Sequence, residues 1–355
     1  MKNKIIHLGK ALVGPGHPCY VIGEIGSNHN RDIDTACKLI KLAKDAGCNA
    51  VKLQSYTADG LYSIYAPRIS QMDGISKPNE TPHELIKRVQ MPVGWHRPLK
   101  KYADEIGIAL CSTPFDESMV DILEDIDIPF YKIASFEITH YPLLKLVAQT
   151  GKPVILSTGN SDMADVREAV RVLKKNGCRE IALLHCVSNY PAREEDMNLR
   201  CIPLLAKEFH LVSGLSDHTE DPLSSIVAVA LGASIIEKHI TLDKSYPGPD
   251  HPFALNPEDL HKLIQMIRRT ENVLGVPLKR MQPSETENHR IGRRSIVAKV
   301  DIRRGARLTE EMLILKRPGL GLHPKYLARV VGCRATRDIR RDEWVKKDDL
   351  QGGFF

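Results

Sequence analysis

Eight short apolar segments alternate with eight amphipathic ones between residues 20 and 275, and this alternation limits the possible folds more than any other feature of the sequence. Apolar runs of this length are typical of strands that are buried on both faces. The predicted strands are 20–25, 50–54, 108–112, 130–134, 154–157, 181–186, 211–214 and 234–239.

Each predicted strand is followed by a stretch with helical periodicity and a recognisable start or stop. Gly47 ends the first helix, Asp116 suits an N-cap, and Pro222 and Pro257 suit first turns. Eight such units in strict order predict an α/β fold, the (β/α)8 or TIM barrel. An open doubly wound sheet is the alternative, but it more often carries a glycine-rich phosphate motif after its first strand, where this chain has GSNHN.

The alternation stops at Gly275, which predicts a catalytic barrel domain over residues 1–275 with a hairpin at 5–18. Residues 276–290 are polar and contain prolines, as linkers do. Residues 291–355 predict a small second domain of short strands and turns, which we expect to pack on something larger. One connection, 55–92, is unusually long and follows a strand, where barrel active sites are built.

Charge and cysteine content narrow the possible partners. The net charge is +6, and the last 80 residues carry 19 basic against 10 acidic side chains. Such a segment can bind nucleic acid or a small anion, but it is poor in aromatic residues, so we expect no nucleic acid partner.

No apolar run of 18 residues occurs, so no membrane span is expected, and we identify no signal peptide. Eight scattered cysteines without a CxxC motif indicate reduced thiols of a cytoplasmic protein.

Polar residues collect where the predicted strands end, which is where TIM barrels carry their catalytic groups. In chain order, these strand-end residues are Glu24, Lys52, Gln54, Ser112, Thr113, Lys132, Ser135, Glu137, Ser157, Thr158, His185, Ser188, Ser216, Asp217, His218, Glu237 and His239.

His218 and His239 end consecutive predicted strands that a helix joins, so their imidazoles should converge. Imidazole suits a divalent transition metal, and two protein ligands leave positions open for water and substrate. The alternative is that each is an ordinary hydrogen-bonded histidine at a strand end.

Lys52 and Lys132 lie inside apolar strands, where an ammonium group is costly unless it is paired. Together with the strand-end hydroxyls they would suit an anion that has both a phosphate and a carboxylate. The alternatives are a salt bridge to a nearby glutamate or, for Lys132, a Schiff base, against which the histidine pair argues. Glu24 or Glu237 could transfer protons, and the sequence does not rank them.

At ten ordered motifs spread over nearly the whole length, the chain resembles the sialic acid synthases, enzymes that make nine-carbon nonulosonic acids. The motifs are IGEIGSNHN at 22–30, VKLQSY at 51–56, YKIASFE at 131–137, ILSTG at 155–159, LHCVSNYP at 184–191, GLSDHT at 214–219, EKH at 237–239, GPDH at 248–251, RRSIVA at 293–298 and RPGLG at 317–321.

The resemblance implies a TIM barrel followed by a small domain similar to type III antifreeze protein, the SAF domain. It implies a domain-swapped homodimer in which that domain covers the barrel mouth of the partner. The implied reaction joins phosphoenolpyruvate to an open-chain, N-acylated mannosamine-type sugar and releases phosphate. It requires a divalent cation, usually Mn²⁺, with Mg²⁺ or Co²⁺ as alternatives.

The resemblance also implies residue roles, with His218 and His239 as metal ligands. The implied phosphoenolpyruvate ligands are Lys52, Lys132, Ser135, Ser157, Ser188 and Ser216. The implied sugar ligands are Glu24, Gln54, Asn79, Tyr190, Asp250 and, reaching the N-acyl group from the partner subunit, Arg317.

The resemblance does not identify the sugar. Residues 134–137 (ASFE) and 321–326 (GLHPKY) are similar to pseudaminic acid synthases, whereas 184–186 (LHC) and 247–251 (PGPDH) are similar to the neuraminate or legionaminate type. Two other functions stay open: a related phosphoenolpyruvate-condensing barrel that acts on a sugar phosphate, and a non-catalytic protein whose C-terminal domain binds ice, glycan or nucleic acid.

Overall fold

The structure is a computed structural model that describes residues 5–68, 76–77 and 79–352. The chain divides into two compact units, Met1–Gly275 and Val276–Phe355. Among the described residues, no helix combines the length and the apolar character that a membrane crossing would need.

The first unit contains a closed barrel of parallel strands, which confirms the predicted TIM barrel. Within the described residues the barrel has eight strands, and the last of them pairs with the first to close it. The barrel strands are β3 (Tyr20–Glu24), β4 (Ala50–Ser55), β5 (Ala109–Pro114), β6 (Tyr131–Ile133), β7 (Val154–Ser157), β8 (Ile181–Cys186), β9 (Val212–Asp217) and β10 (Ile235–His239).

Helices follow the strands in the alternation that the sequence predicts. The helices between and after the strands are α1 (Ile33–Ala46), α4 (His96–Ile106), α5 (Glu117–Asp125), α6 (Tyr141–Gln149), α7 (Met163–Lys175), α8 (Cys201–Phe209), α9 (Leu223–Ala230) and α10 (Pro257–Leu274). The boundary signals act as expected: Gly47 ends α1 in the left-handed region at φ 94°, and the Asp116 side chain caps α5.

Two expectations about the strands and connections differ from the structure. The strand predicted to end at Gly214 continues to Asp217, because Ser216 and Asp217 still pair with β10 although they are polar. The long connection 55–92 is not one extended loop, because it contains α2 (Ala58–Leu61) and α3 (Pro82–Val89). A capping box between Thr81 and Glu84 starts α3. Residues 69–75 and 78 of this connection lie outside the described residues.

A small antiparallel sheet of β1 (Ile6–Leu8) and β2 (Ala11–Val13) closes one end of the barrel. Its side chains Ile6, Leu8 and Val13 are buried, and they belong to one apolar cluster with Tyr20 and Phe130 at the start of the barrel. The hairpin therefore fills the end opposite the carboxyl ends of the strands.

The second unit is built from short elements around its own apolar core, which includes Ile296, Leu308 and Val345. The residues predicted as a linker, 276–290, are largely exposed. They are not irregular throughout, because the helix α11 (Thr286–Gly292) begins within them and ends two residues beyond them. The elements are α11 (Thr286–Gly292), β11 (Ser295–Ala298), β12 (Leu313–Lys316), α12 (Leu327–Val330), β13 (Arg334–Ala335) and β14 (Leu350–Gln351).

The packing of β9 predicts a stability effect at Gly214. A Cβ atom there would lie 2.2 Å from the backbone oxygen of Ile235 and 2.8 Å from Cδ2 of Leu184, so the barrel must deform to admit it. We expect Gly214→Ala to lower the free energy of unfolding by about 1–3 kcal/mol in urea denaturation. Gly94→Ala is the matched control, because a Cβ at Gly94 would have no neighbour within 4 Å. Equal stability of the two variants would contradict this packing.

Candidate active site

The carboxyl ends of the barrel strands surround a cavity of about 410 Å³. Most of the residues singled out from the sequence line it, although they come from separate strands and loops. Those lining the cavity are Lys52, Gln54, Thr113, Lys132, Ser135, Glu137, Ser157, Tyr190, Ser216, His218, Glu237, His239 and Asp250.

Four charged side chains form a buried network on the inner side of the barrel. The Lys52 ammonium lies 3.2 Å from Oε2 of Glu24 and 3.0 Å from Oε1 of Glu237. The Lys132 ammonium donates to Ser157 Oγ at 2.6 Å and lies 3.8 Å from Oε1 of Glu237. The salt-bridge alternative for Lys52 is therefore present in the structure; Lys52 and Glu237 line the cavity, whereas the fully buried Glu24 does not.

Burial and mutual attraction set the protonation of this network. Burial raises the pKa of Glu24 to about 7, against the lowering effect of Lys52. Burial also acts to raise the pKa of Glu237, but Lys132 and Lys52 together hold it at about 2. Burial lowers the pKa of Lys132, whereas for Lys52 the two glutamates outweigh burial and raise it. At neutral pH, Glu237 is ionised and Glu24 is close to its titration point.

His218 and His239 converge as the strand order predicts, with ring centroids 5.5 Å apart. Nδ1 of His218 donates to the Val187 carbonyl at 2.9 Å, which leaves the Nε2 lone pair free. Nδ1 of His239 is buried and has no hydrogen-bond partner within the part of the chain that the structure describes. Burial, and after it the nearby His218, lowers the pKa of His239 well below the usual value. Burial acts to lower the pKa of His218 as well, but Cys186, whose Sγ lies 3.8 Å from Nδ1 of His218, outweighs burial and raises that pKa. Two converging imidazoles, one with its Nδ1 proton held by a carbonyl and one with a buried, unpaired Nδ1, fit a divalent metal. Among the described residues, no group of three or more His, Cys, Asp or Glu could hold a metal ion, so a metal here would have these two histidines as its protein ligands.

Hydroxyl groups lie close to the backbone beyond β7. The Gly159 N–H donates to Ser135 Oγ at 3.0 Å, and a Cβ at Gly159 would lie only 2.3 Å from Ser188 Oγ. Ser188 is thus next to Ser135, although it does not itself line the cavity. Gly159 was not among the predicted site residues, and the signal for it was its position directly after the strand end at Ser157.

The residues expected to bind sugar are only partly brought together. Gln54 Nε2 donates to Glu24 Oε1 at 2.7 Å, and Asp250 Oδ2 accepts from both the backbone and the hydroxyl of Ser27 at 2.9 Å. Asn79 is exposed, has φ 63° and is not part of the cavity wall. Arg317 belongs to the second unit, where it is exposed.

Two parts of the cavity wall were not assigned a role from the sequence. Glu137, in a short 3₁₀ turn after β6, is buried in the wall, and its Oε2 has no hydrogen-bond partner. Burial raises its pKa to about 7. The other part is apolar and comes from α2 and α3, whose existence was not predicted. The signal for α3 was its TPHE capping box at 81–84.

The fold and the site define a TIM-barrel protein with a cavity of lysines, hydroxyls and paired histidines at its mouth. The NeuB family model matches residues 39–279, and the SAF domain model matches residues 293–351. The chain belongs to the NeuB family, as its resemblance to the sialic acid synthases predicts.

Individual relatives agree with this assignment. The chain is 45% identical over 347 residues to the uncharacterized protein MJ1065 of Methanocaldococcus jannaschii, which covers 98% of this chain and 99% of that one. It is 38% identical to N,N'-diacetyllegionaminic acid synthase of Campylobacter jejuni, over 92% of this chain and 98% of that one. The crystal structure of N-acetylneuraminic acid synthetase from Leptospira borgpetersenii is 33% identical, with a TM-score of 0.72 over 81% of this chain and 95% of that one.

The buried carboxyl of Glu137 predicts a pH-dependent stability. Its pKa rises from the ordinary 4.5 to about 7 on folding, so the folded state holds this proton more tightly than the unfolded chain. The protonated carboxyl therefore contributes up to about 3 kcal/mol to the free energy of unfolding below pH 4.5, and this contribution is lost as the pH rises through 7. We expect Glu137→Gln, which cannot ionise, to be more stable relative to wild type at pH 8 than at pH 5 in urea denaturation. The exposed Glu194→Gln controls for the substitution, and a difference between Glu137→Gln and wild type that is independent of pH would contradict the burial effect.

Proposed function

We propose that this protein is a nonulosonic acid synthase. It condenses phosphoenolpyruvate with the aldehyde of an open-chain, N-acylated hexosamine and releases phosphate. One observation carries the proposal: buried Lys52 and Lys132, strand-end hydroxyls and the His218–His239 pair line a single cavity. The two synthases named above, which are similar to this chain, are named for N,N'-diacetyllegionaminic acid and N-acetylneuraminic acid, which supports a nonulosonic acid as the product.

Phosphoenolpyruvate binds at the two lysines in this proposal. Its phosphate and carboxylate need cationic donors in a site from which water is excluded, and both ammonium groups are almost fully buried. Hydroxyls next to the lysines add neutral donors, with Ser216 Oγ 3.0 Å from Oε1 of Glu237 and Ser157 Oγ 2.6 Å from Lys132. When the substrate anion binds, it replaces part of the pairing that Glu24 and Glu237 now supply.

His218 and His239 would hold the divalent cation, which we propose is Mn²⁺, with Mg²⁺ or Co²⁺ as alternatives. A cation there supplies Lewis-acid polarisation of an aldehyde and orientation of water. His218 is suited to this role because the Val187 carbonyl fixes its ring and tautomer. His239 presents a buried Nδ1 that has no hydrogen-bond partner among the described residues, with the nearest carboxylate oxygen, Oδ2 of Asp250, 3.9 Å away.

The remaining chemistry is done by the carboxylates. C3 of phosphoenolpyruvate attacks the aldehyde carbon, water adds to C2, and the bond between C2 and the phosphate oxygen breaks. Glu237, ionised at neutral pH, is placed to stabilise the positive charge that develops at C2. Glu24, with a pKa of about 7, is suited to hold and transfer a proton, so the two glutamates differ in role because their surroundings differ.

A Schiff base at Lys132 is the second candidate chemistry, because burial lowers its pKa towards that of a reactive amine. Its hydrogen bonds to Ser157 Oγ and to the Ile133 carbonyl instead hold it as a donor. Borohydride trapping separates the two: a sugar or pyruvate adduct at Lys132 supports the Schiff base, whereas its absence during turnover supports the anion-binding role.

The test of the function is phosphate release from phosphoenolpyruvate in the presence of Mn²⁺. We expect release with at least one of N-acetylmannosamine, its 6-phosphate and the 2,4-diacetamido-2,4,6-trideoxyhexoses of the manno and altro series. EDTA should stop it, since metal removal takes away aldehyde polarisation. His218→Ala should release no phosphate, and Mn²⁺ should raise the melting temperature of wild type but not of this variant. No release with any acceptor would overturn the proposal.

A shared site in a domain-swapped homodimer is a further proposal, which rests on the sequence resemblance. In it, Arg317 of one subunit meets the N-acyl group of a sugar bound by the other. We expect Arg317→Ala to raise the KM for the sugar more than the KM for phosphoenolpyruvate. Mixed with Lys132→Ala under subunit exchange, it should restore about a quarter of wild-type activity, because half the dimers are mixed and each has one intact site. Absence of rescue after proven exchange would contradict the shared site.

A further inference from the structure

A buried ion pair lies behind the two histidines, and none of the chemistry proposed above uses it. Asp217 is the last residue of β9 and Lys238 the next-to-last residue of β10, and the two are partners in the parallel register. The preceding residues, Ser216 and Glu237, line the cavity. Because side chains alternate between the two faces of a strand, Asp217 and Lys238 point outwards, towards the helices.

The carboxylate of this pair has a donor at each of its oxygens. Lys238 Nζ lies 3.0 Å from Oδ2 of Asp217, and the two side chains are only 1% and 0% exposed. Ser225 Oγ, on α9, donates to the same oxygen at 2.6 Å. Oδ1 of Asp217 accepts from the backbone N–H of Thr219 at 2.9 Å and from its hydroxyl at 2.7 Å. The pair therefore connects two strands, a helix and the loop after β9.

Lys238 also holds the backbone of that loop. Its ammonium donates to the backbone carbonyl of Thr219 and lies 3.3 Å from the hydroxyl of the same residue. Asp217 and Thr219 are the two neighbours of His218 in the chain, so the pair restrains the backbone on both sides of that histidine. Lys238 itself directly precedes His239. One ion pair thus restrains the backbone at both histidines.

The physical effect of such a pair is on geometry more than on stability. A buried ion pair adds little net stability, because the attraction between its charges roughly offsets the cost of removing them from water. Its hydrogen bonds are nevertheless directional, so they fix the groups that they join. Two histidines on separate strands can bind one cation only when their separation is closely controlled, and metal ligands depend on the groups that orient them.

We infer that the Asp217–Lys238 ion pair positions His218 and His239 for a divalent cation, so that cation affinity depends on the pair even where the stability of the barrel does not. Asp217 and Lys238 are positioning residues, because neither is among the described residues that line the cavity. The inference rests on the proposed function only in taking the two histidines as the cation ligands.

The experiment measures the dissociation constant of Mn²⁺ by electron paramagnetic resonance of the free ion, with the full-length chain and without substrates. Asp217→Asn keeps the shape of the side chain and removes its charge. It should raise the Kd of Mn²⁺ about 10- to 100-fold, as expected when a group that orients a metal ligand is lost. The Mn²⁺ concentration that gives half-maximal phosphate release should rise with it, whereas kcat at saturating Mn²⁺ should change much less, because excess cation compensates for the looser site.

An apolar replacement of both partners separates positioning from stability. Asp217→Leu combined with Lys238→Met leaves no unpaired buried charge, so the melting temperature of this double variant should be close to that of wild type. Its Kd for Mn²⁺ should stay raised at least about tenfold, since apolar contacts do not hold the loop as the hydrogen bonds do.

A milder variant keeps the test informative if the double variant fails to fold. Thr219→Val preserves the shape of the side chain and removes one hydrogen bond to Asp217. It should raise the Kd of Mn²⁺ at least about threefold.

Glu80→Gln is the matched control. Glu80 is a buried carboxylate that accepts from Nε of Arg88 at 2.8 Å, so the change again turns a paired carboxylate into an amide, but it lies before α3, outside β9 and β10. It should leave the Kd of Mn²⁺ unchanged.

Each outcome bears on a distinct proposal. Unchanged Mn²⁺ affinity in folded Asp217→Asn and Thr219→Val, wild-type affinity in the apolar double variant, or an equal loss in Glu80→Gln overturns the positioning role and leaves the synthase function intact. Failure of the wild-type chain to bind Mn²⁺ overturns the metal centre, and the inference with it. Mn²⁺ binding without phosphate release from any acceptor overturns the proposed function alone, because the Kd values are measured without turnover.

Discussion

The Lys52 ammonium, held between the carboxylates of Glu24 and Glu237 inside the barrel, is the interaction on which the rest of the site depends. Loss of one partner from a buried ion pair costs about 3–5 kcal/mol, because the charge that remains has neither water nor a counter-ion. The network joins β3, β4 and β10, and Lys132 on β6 contacts it through Glu237. The charges that connect these strands inside the barrel are therefore the same charges that line the cavity as ammonium groups and carboxylates.

Much of the fold was predictable because each unit carries its own local signals. Buried parallel strands are continuous apolar runs, and helix ends are marked by residues such as Gly47 and Asp116, so neither requires knowledge of distant contacts. The end of β9 was missed because Ser216 and Asp217 are polar residues whose backbones still pair with β10. The alternation of strands and helices does not predict α2 and α3, because both lie within the long connection 55–92. The sequence does contain a signal for α3, its capping box at Thr81 and Glu84.

The candidate site was predictable to the extent that strand ends determine it. Topology alone brings His218 next to His239, and it places Lys52 and Lys132 in the same interior. The sequence does not give the distances between these groups, because the partners lie far apart along the chain. It therefore cannot predict that the pKa of Glu237 is about 2 and that of Glu24 about 7, since each pKa depends on burial and on those partners. The sequence also does not predict the apolar part of the cavity wall, because α2 and α3 supply its side chains.

The hairpin of β1 and β2 has a consequence for the order of events. Because Ile6, Leu8 and Val13 fill one end of the barrel, the described residues leave the cavity open at the carboxyl ends of the strands. Every ligand of this cavity would therefore pass through the same opening. In the proposed reaction both substrates would enter and both products would leave through this one opening, so the group bound deepest, at the lysines, would enter first and leave last.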